Sequence, residues 1–187
     1  MVDKKFELTK ETKDWFGTTL HRIRALAGFG IVEKGELGGW VESEKNLSQD
    51  GDAWVSGNAR VSGNAWVSGN ARVYGDAWVY GNARVYGDAL VYGNALVYGN
   101  ARVYGDALVY GNALVYGDAL VYGDAWVYGN ALVYGNALVY GNALVYGKVK
   151  IEFTLCSRFN FDTEAKLAYW KKLEAMFEKK FGIEKAF

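Results

Sequence analysis

The chain has 187 residues, and its 21 Lys plus Arg balance its 21 Asp plus Glu, so no net charge draws it to nucleic acid or to an anionic membrane. One cysteine, Cys156, excludes an internal disulfide and a cysteine-held metal cluster and creates no need for an oxidising compartment. With 14 Tyr, 7 Trp, 24 Gly and no Pro, the composition is neither that of a disordered chain nor that of an average globular domain.

The N-terminal segment, residues 1–50, lacks the apolar core of a signal peptide. No stretch of the chain approaches the roughly 20 apolar residues that cross a bilayer, and a soluble, cytoplasmic protein is expected. Residues 5–9 alternate as a strand and residues 19–26 read as a second. Residues 38–48 (GGWVESEKNLS) read as worn copies of the repeat that follows, ended by a small insertion at residues 49–50. Segment 1–50 is therefore expected to cap a repeat array, whose open core and unpaired edges otherwise invite end-to-end polymerisation.

From residue 51 to residue 146 the chain is Gly-(Asp/Asn)-Ala-x-Val-(Tyr/Ser), sixteen times without a slip (96 residues divided by 6), and residues 147–152 form a degenerate seventeenth copy. Ala and Val, two apart, share one face of a strand, while x and Tyr share the other. Gly-Asn or Gly-Asp supplies the corner, and a glycine every sixth residue argues against a long helix. Strands this short have to be paired by neighbouring coils. Three hexads per turn stack coils about 4.8 Å apart around an interior that suits small and branched side chains. The expected fold over residues 51–152 is an all-β solenoid, a triangular parallel β-helix of hexapeptide repeats with between five and six regular coils (16 divided by 3).

Early in the run, position x alternates Trp54, Arg60, Trp66, Arg72, Trp78, Arg84. A register of three hexads sets unlike residues side by side: Trp54 by Arg72, Arg60 by Trp78, Trp66 by Arg84. Each pair is expected to make a cation–π contact worth about 0.5–1 kcal/mol. Only Arg84 and Arg102 stack as like charges, too little for a nucleic-acid stripe. Later the x positions turn apolar: Leu90, Leu96, Leu108, Leu114, Leu120, Trp126, Leu132, Leu138 and Leu144. Tyr74 through Tyr146 form three ladders beside them. Soluble monomers rarely expose large apolar patches, so a homo-oligomer through the Leu/Tyr faces of residues 90–146 is expected. The alternative is a monomer whose Tyr rings fold over the Leu rows. One corner stacks Asp52, Asn70, Asp88, Asp106, Asp124 and Asn142. Carboxylates about 5 Å apart repel by roughly 1 kcal/mol per pair, which a cation such as calcium would relieve. Screening by solvent is the plainer reading, and no metal site is assigned.

Residues 153–187 are expected to form a C-terminal capping segment with an α-helix over 163–181, Asp162 as N-cap and Gly182 as stop. Its apolar stripe of Tyr169, Trp170, Leu173, Met176, Phe177 and Phe181 suits a lid over the last coil.

The segments LHRIRAL at 20–26 and GELGGWVESEKNLS at 35–48, followed by GDAWVSGNARV, resemble the YdcK-like bacterial and phage hexapeptide-repeat proteins over roughly residues 5–152. An aliphatic residue at i with a small one at i+4 is similar to the pattern of left-handed β-helices, so the coil is taken as left-handed. Members are often labelled transferases, because their fold is similar to that of the left-handed β-helix acyltransferases. That likeness implies a histidine base at a cleft between subunits. The one histidine here, His21, lies in the N-terminal segment, and residues 51–146 contain no His, Cys, Glu or Lys and no loop excursion. Exposed Asp corners have no environment that would tune them for acid–base work. No phosphate loop, metal-ligand spacing or nucleophile elbow appears. The expected function is a non-catalytic structural or protein-interaction scaffold that self-associates, with no catalytic, cofactor or metal residue assigned. An orphan hexapeptide acyltransferase is the alternative, and carbohydrate or other surface binding through the Trp/Tyr ladders a second.

Overall fold

A computed structural model describes residues 4–156, Asn160, Phe161, Ala168 and Lys172. The C-terminal helix expected over 163–181 lies outside the described residues, apart from Ala168 and Lys172.

Each hexad forms one short strand at its x-Val pair, from Trp54–Val55 to Lys150–Ile151. Each strand pairs in parallel with the strand three hexads on: Trp54 with Arg72, Arg72 with Leu90, Leu90 with Leu108. The result is a parallel β-solenoid with three sheets. Sheet 1 runs through Trp54, Arg72, Leu90, Leu108, Trp126 and Leu144, sheet 2 through Arg60, Trp78, Leu96, Leu114, Leu132 and Lys150, and sheet 3 through Trp66, Arg84, Arg102, Leu120 and Leu138.

The core is the hexad's own Ala and Val, shielded from solvent in every copy and continuous from Ala53 to Ile151. Each Val contributes about 1.5 kcal/mol by burial. The backbone is satisfied largely between coils. The N–H of Trp54 donates to Ala71 C=O (3.0 Å), that of Ser56 to Val73 (2.9 Å) and that of Asn58 to Gly75 (2.9 Å), and the pattern recurs down the array. The corner requires glycine for two reasons. Gly87 sits at φ +71°, and a Cβ on it would lie 2.9 Å from the amide nitrogen of Gly105 in the next coil.

The N-terminal strands are both present. β1 (Phe6–Trp15) and β2 (Thr18–Ala25) form an antiparallel hairpin. β1 extends beyond residue 9 because its pairing with β2 resumes after a register shift, with Thr12 opposite His21 and Trp15 opposite Thr18. β3 (Leu37–Val41) joins β2 antiparallel on one side and the strand Arg60–Val61 parallel on the other. The step from Trp40 to its partner Arg60 is two longer than the coil period. The Gln49 and Asp50 insertion accounts for the difference, so residues 38–48 are worn repeats that make up part of a coil.

The first regular coil has only these worn repeats before it, and they share the task of donating to its carbonyls with side chains of the N-terminal segment. Trp40 N–H reaches Ala59 C=O (2.9 Å), Glu42 N–H reaches Val61 (3.0 Å) and Ser48 N–H reaches Val67 (2.9 Å). Side chains do the rest: Lys5 Nζ donates to Gly51 and Ala53, and Asn46 Nδ2 to Gly63 and Ala65. Gln49 acts as a surrogate peptide for the start of β1, its Oε1 accepting from Lys5 N–H at 2.8 Å.

Candidate interaction surfaces

Because Tyr recurs at one place in the hexad and the coils stack in register, each phenol lies over the phenol of the next coil. Ring centroids from Tyr74–Tyr92 to Tyr128–Tyr146 are 4.7–5.4 Å apart and the planes within 13° of parallel. Such pairs add about 0.5–1.5 kcal/mol each beyond area burial. Burial, with a smaller push from the neighbouring phenol, raises the hydroxyl pKa of Tyr80, Tyr98 and Tyr110 above its ordinary value. The outward Leu residues from Leu90 to Leu144 are partly buried, while Trp126 in the same region is 42% exposed.

The Asn corners form hydrogen-bonded ladders. Asn64 donates to Asn82 (3.1 Å), Asn82 to Asn100 (3.0 Å) and Asn100 to Asp118 (2.9 Å), and Asn70 donates to Asp88 (3.0 Å). The amide suits such a column because it can donate to one neighbouring coil while accepting from the other, as Asn82 does. Among the described residues, no group of three or more His, Cys, Asp or Glu side chains is placed to hold a metal ion.

The Trp/Arg positions depart from expectation. Of the three pairs, only Arg60–Trp78 makes the cation–π contact, with the guanidinium 6.0 Å from the ring centroid, and Arg60 lies closer to Trp15, at 4.0 Å. Trp54 does not face water. It is 4% exposed, edge-on to Phe6 (6.4 Å) and Phe29 (5.4 Å), because the N-terminal segment folds over it. Trp66 and Arg84 are neighbours in register without that contact.

Sheet 2 carries an aromatic clasp. Phe16, at the hairpin tip, stacks face-on against Trp78 (5.9 Å, 6°), which stacks on Tyr80 (4.1 Å), and Trp15 meets Trp78 edge-on at 6.0 Å. Lys13 lies over both Trp15 and Trp40, and Arg22 over Trp40. Burial lowers the Arg60 pKa against the opposing pull of Asp76, whose carbonyl accepts from Arg60 Nη2 at 2.9 Å. Phe16 sits at φ +47°, a strained conformation for a bulky residue that these contacts hold in place. His21 stands on β2, opposite Thr12 on one side and Val41 on the other. Among the described residues no helix is long and apolar enough to cross a membrane.

The family model described as YdcK beta solenoid repeat matches the chain at residues 53–69, 67–81, 77–93, 83–99, 89–105, 97–111, 101–116, 107–123, 113–129 and 125–140. No curated protein matches the chain.

Proposed function

We propose that this chain, whose residues 53–140 match the YdcK beta solenoid repeat, is a YdcK-like, non-catalytic scaffold that self-associates through the Leu/Tyr faces of residues 90–146. The observation that carries this reading is the row Leu96, Leu114, Leu132 on sheet 2, in register and flanked by the stacked rings of Tyr98, Tyr116 and Tyr134. Rings already held in a stack lose little conformational freedom when a partner covers them, which favours association. Against catalysis stands the placement of the one histidine, on a hairpin strand between Thr12 and Val41 rather than in the coil.

The same reading takes the coil as triangular in section, supported by three sheets that share one Ala/Val core, and as left-handed, from the likeness of the hexad to left-handed β-helix repeats. A crystal structure with right-handed coils would overturn that part alone.

Light scattering across a concentration series tests self-association. The wild-type chain is expected to be a dimer or larger, and Leu114→Glu to shift it toward monomer while its circular dichroism spectrum stays that of the folded chain. A wild-type chain that stays monomeric at high concentration overturns the proposal.

A further inference from the structure

The tyrosine column on sheet 2 has a distinct head and a distinct foot. At the head, Ser62 stands where a further Tyr would, and the half-buried indole of Trp78 leans across to it. Trp78 Nε1–H donates to Ser62 Oγ at 3.1 Å, and the indole lies 4.1 Å from the ring of Tyr80. On sheets 1 and 3 the residue two before the first tyrosine is instead an arginine, Arg72 before Tyr74 and Arg84 before Tyr86. Below Tyr80 the column continues through Tyr98, Tyr116 and Tyr134, with successive centroids 4.8, 4.9 and 5.4 Å apart. At the foot, the degenerate seventeenth hexad has Glu152 in place of Tyr, and the Tyr134 hydroxyl donates to its Oε2 at 2.9 Å.

This order of rings has a chemical direction. Electrons cross between aromatic rings in van der Waals contact much faster than across a gap of the same chain. An indole is a good one-electron donor, and a neutral indolyl radical can in turn take an electron from a phenol. A phenol gives up that electron most readily when a base takes its proton at the same time. Burial disfavours loss of the proton from Tyr80 and Tyr98, whose pKa values are raised. Tyr134 has a carboxylate on its hydroxyl, and the charged acceptor makes that hydrogen bond a strong one.

We propose that Trp78, Tyr80, Tyr98, Tyr116 and Tyr134 form a radical relay that carries oxidising equivalents from the hairpin clasp to Glu152. The oxidant is a one-electron acceptor of the peroxyl-radical class. It takes an electron and the Nε1 proton from Trp78, becoming a hydroperoxide and leaving a neutral indolyl radical. Tyr80 returns the electron, and the indole nitrogen regains a proton from solvent. Each phenol is then re-reduced by the next, until the unpaired electron rests on Tyr134 as a phenoxyl radical. The phenol proton of Tyr134 passes to the Glu152 carboxylate. The net change is one hydroperoxide formed and one Tyr134 phenol oxidised. The relay thereby clears the radical from the indole on which Phe16 and Trp15 are seated. The whole column lies within one chain, so the relay stands independently of self-association.

The test exposes the full chain to azide radicals, which oxidise indoles in preference to phenols, in the presence of a nitroso spin trap. Peptide mass spectrometry then locates the adducts. In the wild type the adduct on this column is expected at Tyr134. Tyr116→Phe keeps a ring in the stack but removes an oxidisable one, and is expected to abolish the Tyr134 adduct and move it back to Tyr80, Tyr98 and Trp78. Glu152→Gln is expected to spread the adduct over the tyrosines above, and Trp78→Phe to remove it from the column. Tyr104→Phe, on sheet 3, is expected to change nothing at Tyr134. Circular dichroism checks that each variant is folded. Absence of a Tyr134 adduct in the wild type overturns the proposal. So does a Tyr134 adduct that persists in Trp78→Phe or Tyr116→Phe, an unchanged pattern in Glu152→Gln, or an equal loss in Tyr104→Phe.

Discussion

Lys5 and Asn46 stand in the same relation to two different sheets. Each donates to a glycine carbonyl and to the alanine carbonyl that follows in the same hexad, Lys5 to Gly51 and Ala53 at 3.1 and 3.0 Å, Asn46 to Gly63 and Ala65 at 2.9 Å each. Down the array the corresponding carbonyls accept backbone N–H groups from the coil before, as Gly75 and Ala77 do from Asn58 and Arg60. Both side chains therefore replace the donors of a missing strand and leave less open edge for another chain to pair with.

Replacing Asn46 with Leu leaves two carbonyls without their donor and also breaks the bond from Ser43 N–H to Asn46 Oδ1 (2.8 Å). The expected loss is about 2 kcal/mol or more, read as a lower urea midpoint.

Lys5 gives stability a pH dependence of definite sign. Burial lowers its pKa from 10.5 to about 8, against the pull of Asp52 and Asp50. Between those values the unfolded chain holds the extra proton, so stability rises with pH across that window, and the penalty is fully present below it. The tyrosines act in the opposite sense. Their folded pKa values are raised above 10.0, so their contribution is present below that pH and is lost as pH rises through the folded values. Melting temperatures of wild type and Lys5→Met, compared from pH 7 to about pH 10, should diverge in favour of wild type above pH 8. A flat difference would mean that the ammonium is not desolvated.

Gly87→Ala should destabilise far more than Gly135→Ala. Both residues have positive φ, at 71° and 62°, so both changes carry the left-handed penalty of about 1 kcal/mol. Only at Gly87 does the new methyl meet the next coil, 2.9 Å from Gly105 N, whereas at Gly135 it meets nothing within 4 Å. The difference in denaturation midpoint isolates the cost of holding two coils apart.

Trp54 and Trp66 occupy the same place in the hexad but should respond differently to replacement by alanine. Trp54→Ala removes a ring packed against Phe6 and Phe29 and should cost about 3 kcal/mol. Trp66→Ala, at an exposed site, should stay within about 0.5 kcal/mol. Chemical denaturation of the two variants side by side tests the contrast.

The repeat region was legible because its structure is local in period. A strand at x-Val, an Ala/Val core, a glycine corner and a partner three hexads away all follow from the repeat, and the Gln49–Asp50 insertion already marked the break in register. The N-terminal contacts were not legible, because they join residues far apart in sequence whose types do not announce a pairing. Nothing in the hexad distinguishes Trp54 from Trp66; the difference is made by Phe6 and Phe29, which lie well upstream of the array. Likewise, a lysine at position 5 reads as surface charge until the first coil's carbonyls are seen to need donors. The Trp54–Arg72 pair failed for the same reason: a register places two side chains on neighbouring strands, but Phe6 and Phe29 take the Trp54 ring.

The parallel register also quantises change in length. Gaining or losing three hexads together would insert or remove one whole coil and return every later side chain to its own sheet. Gaining or losing a single hexad would carry each later residue round to the adjacent sheet, scrambling the Leu rows and the Trp66–Arg84–Arg102 column while leaving the Ala/Val interior intact. Slippage within this repetitive gene would therefore be tolerated by the fold at every hexad, but by the surface only at every third.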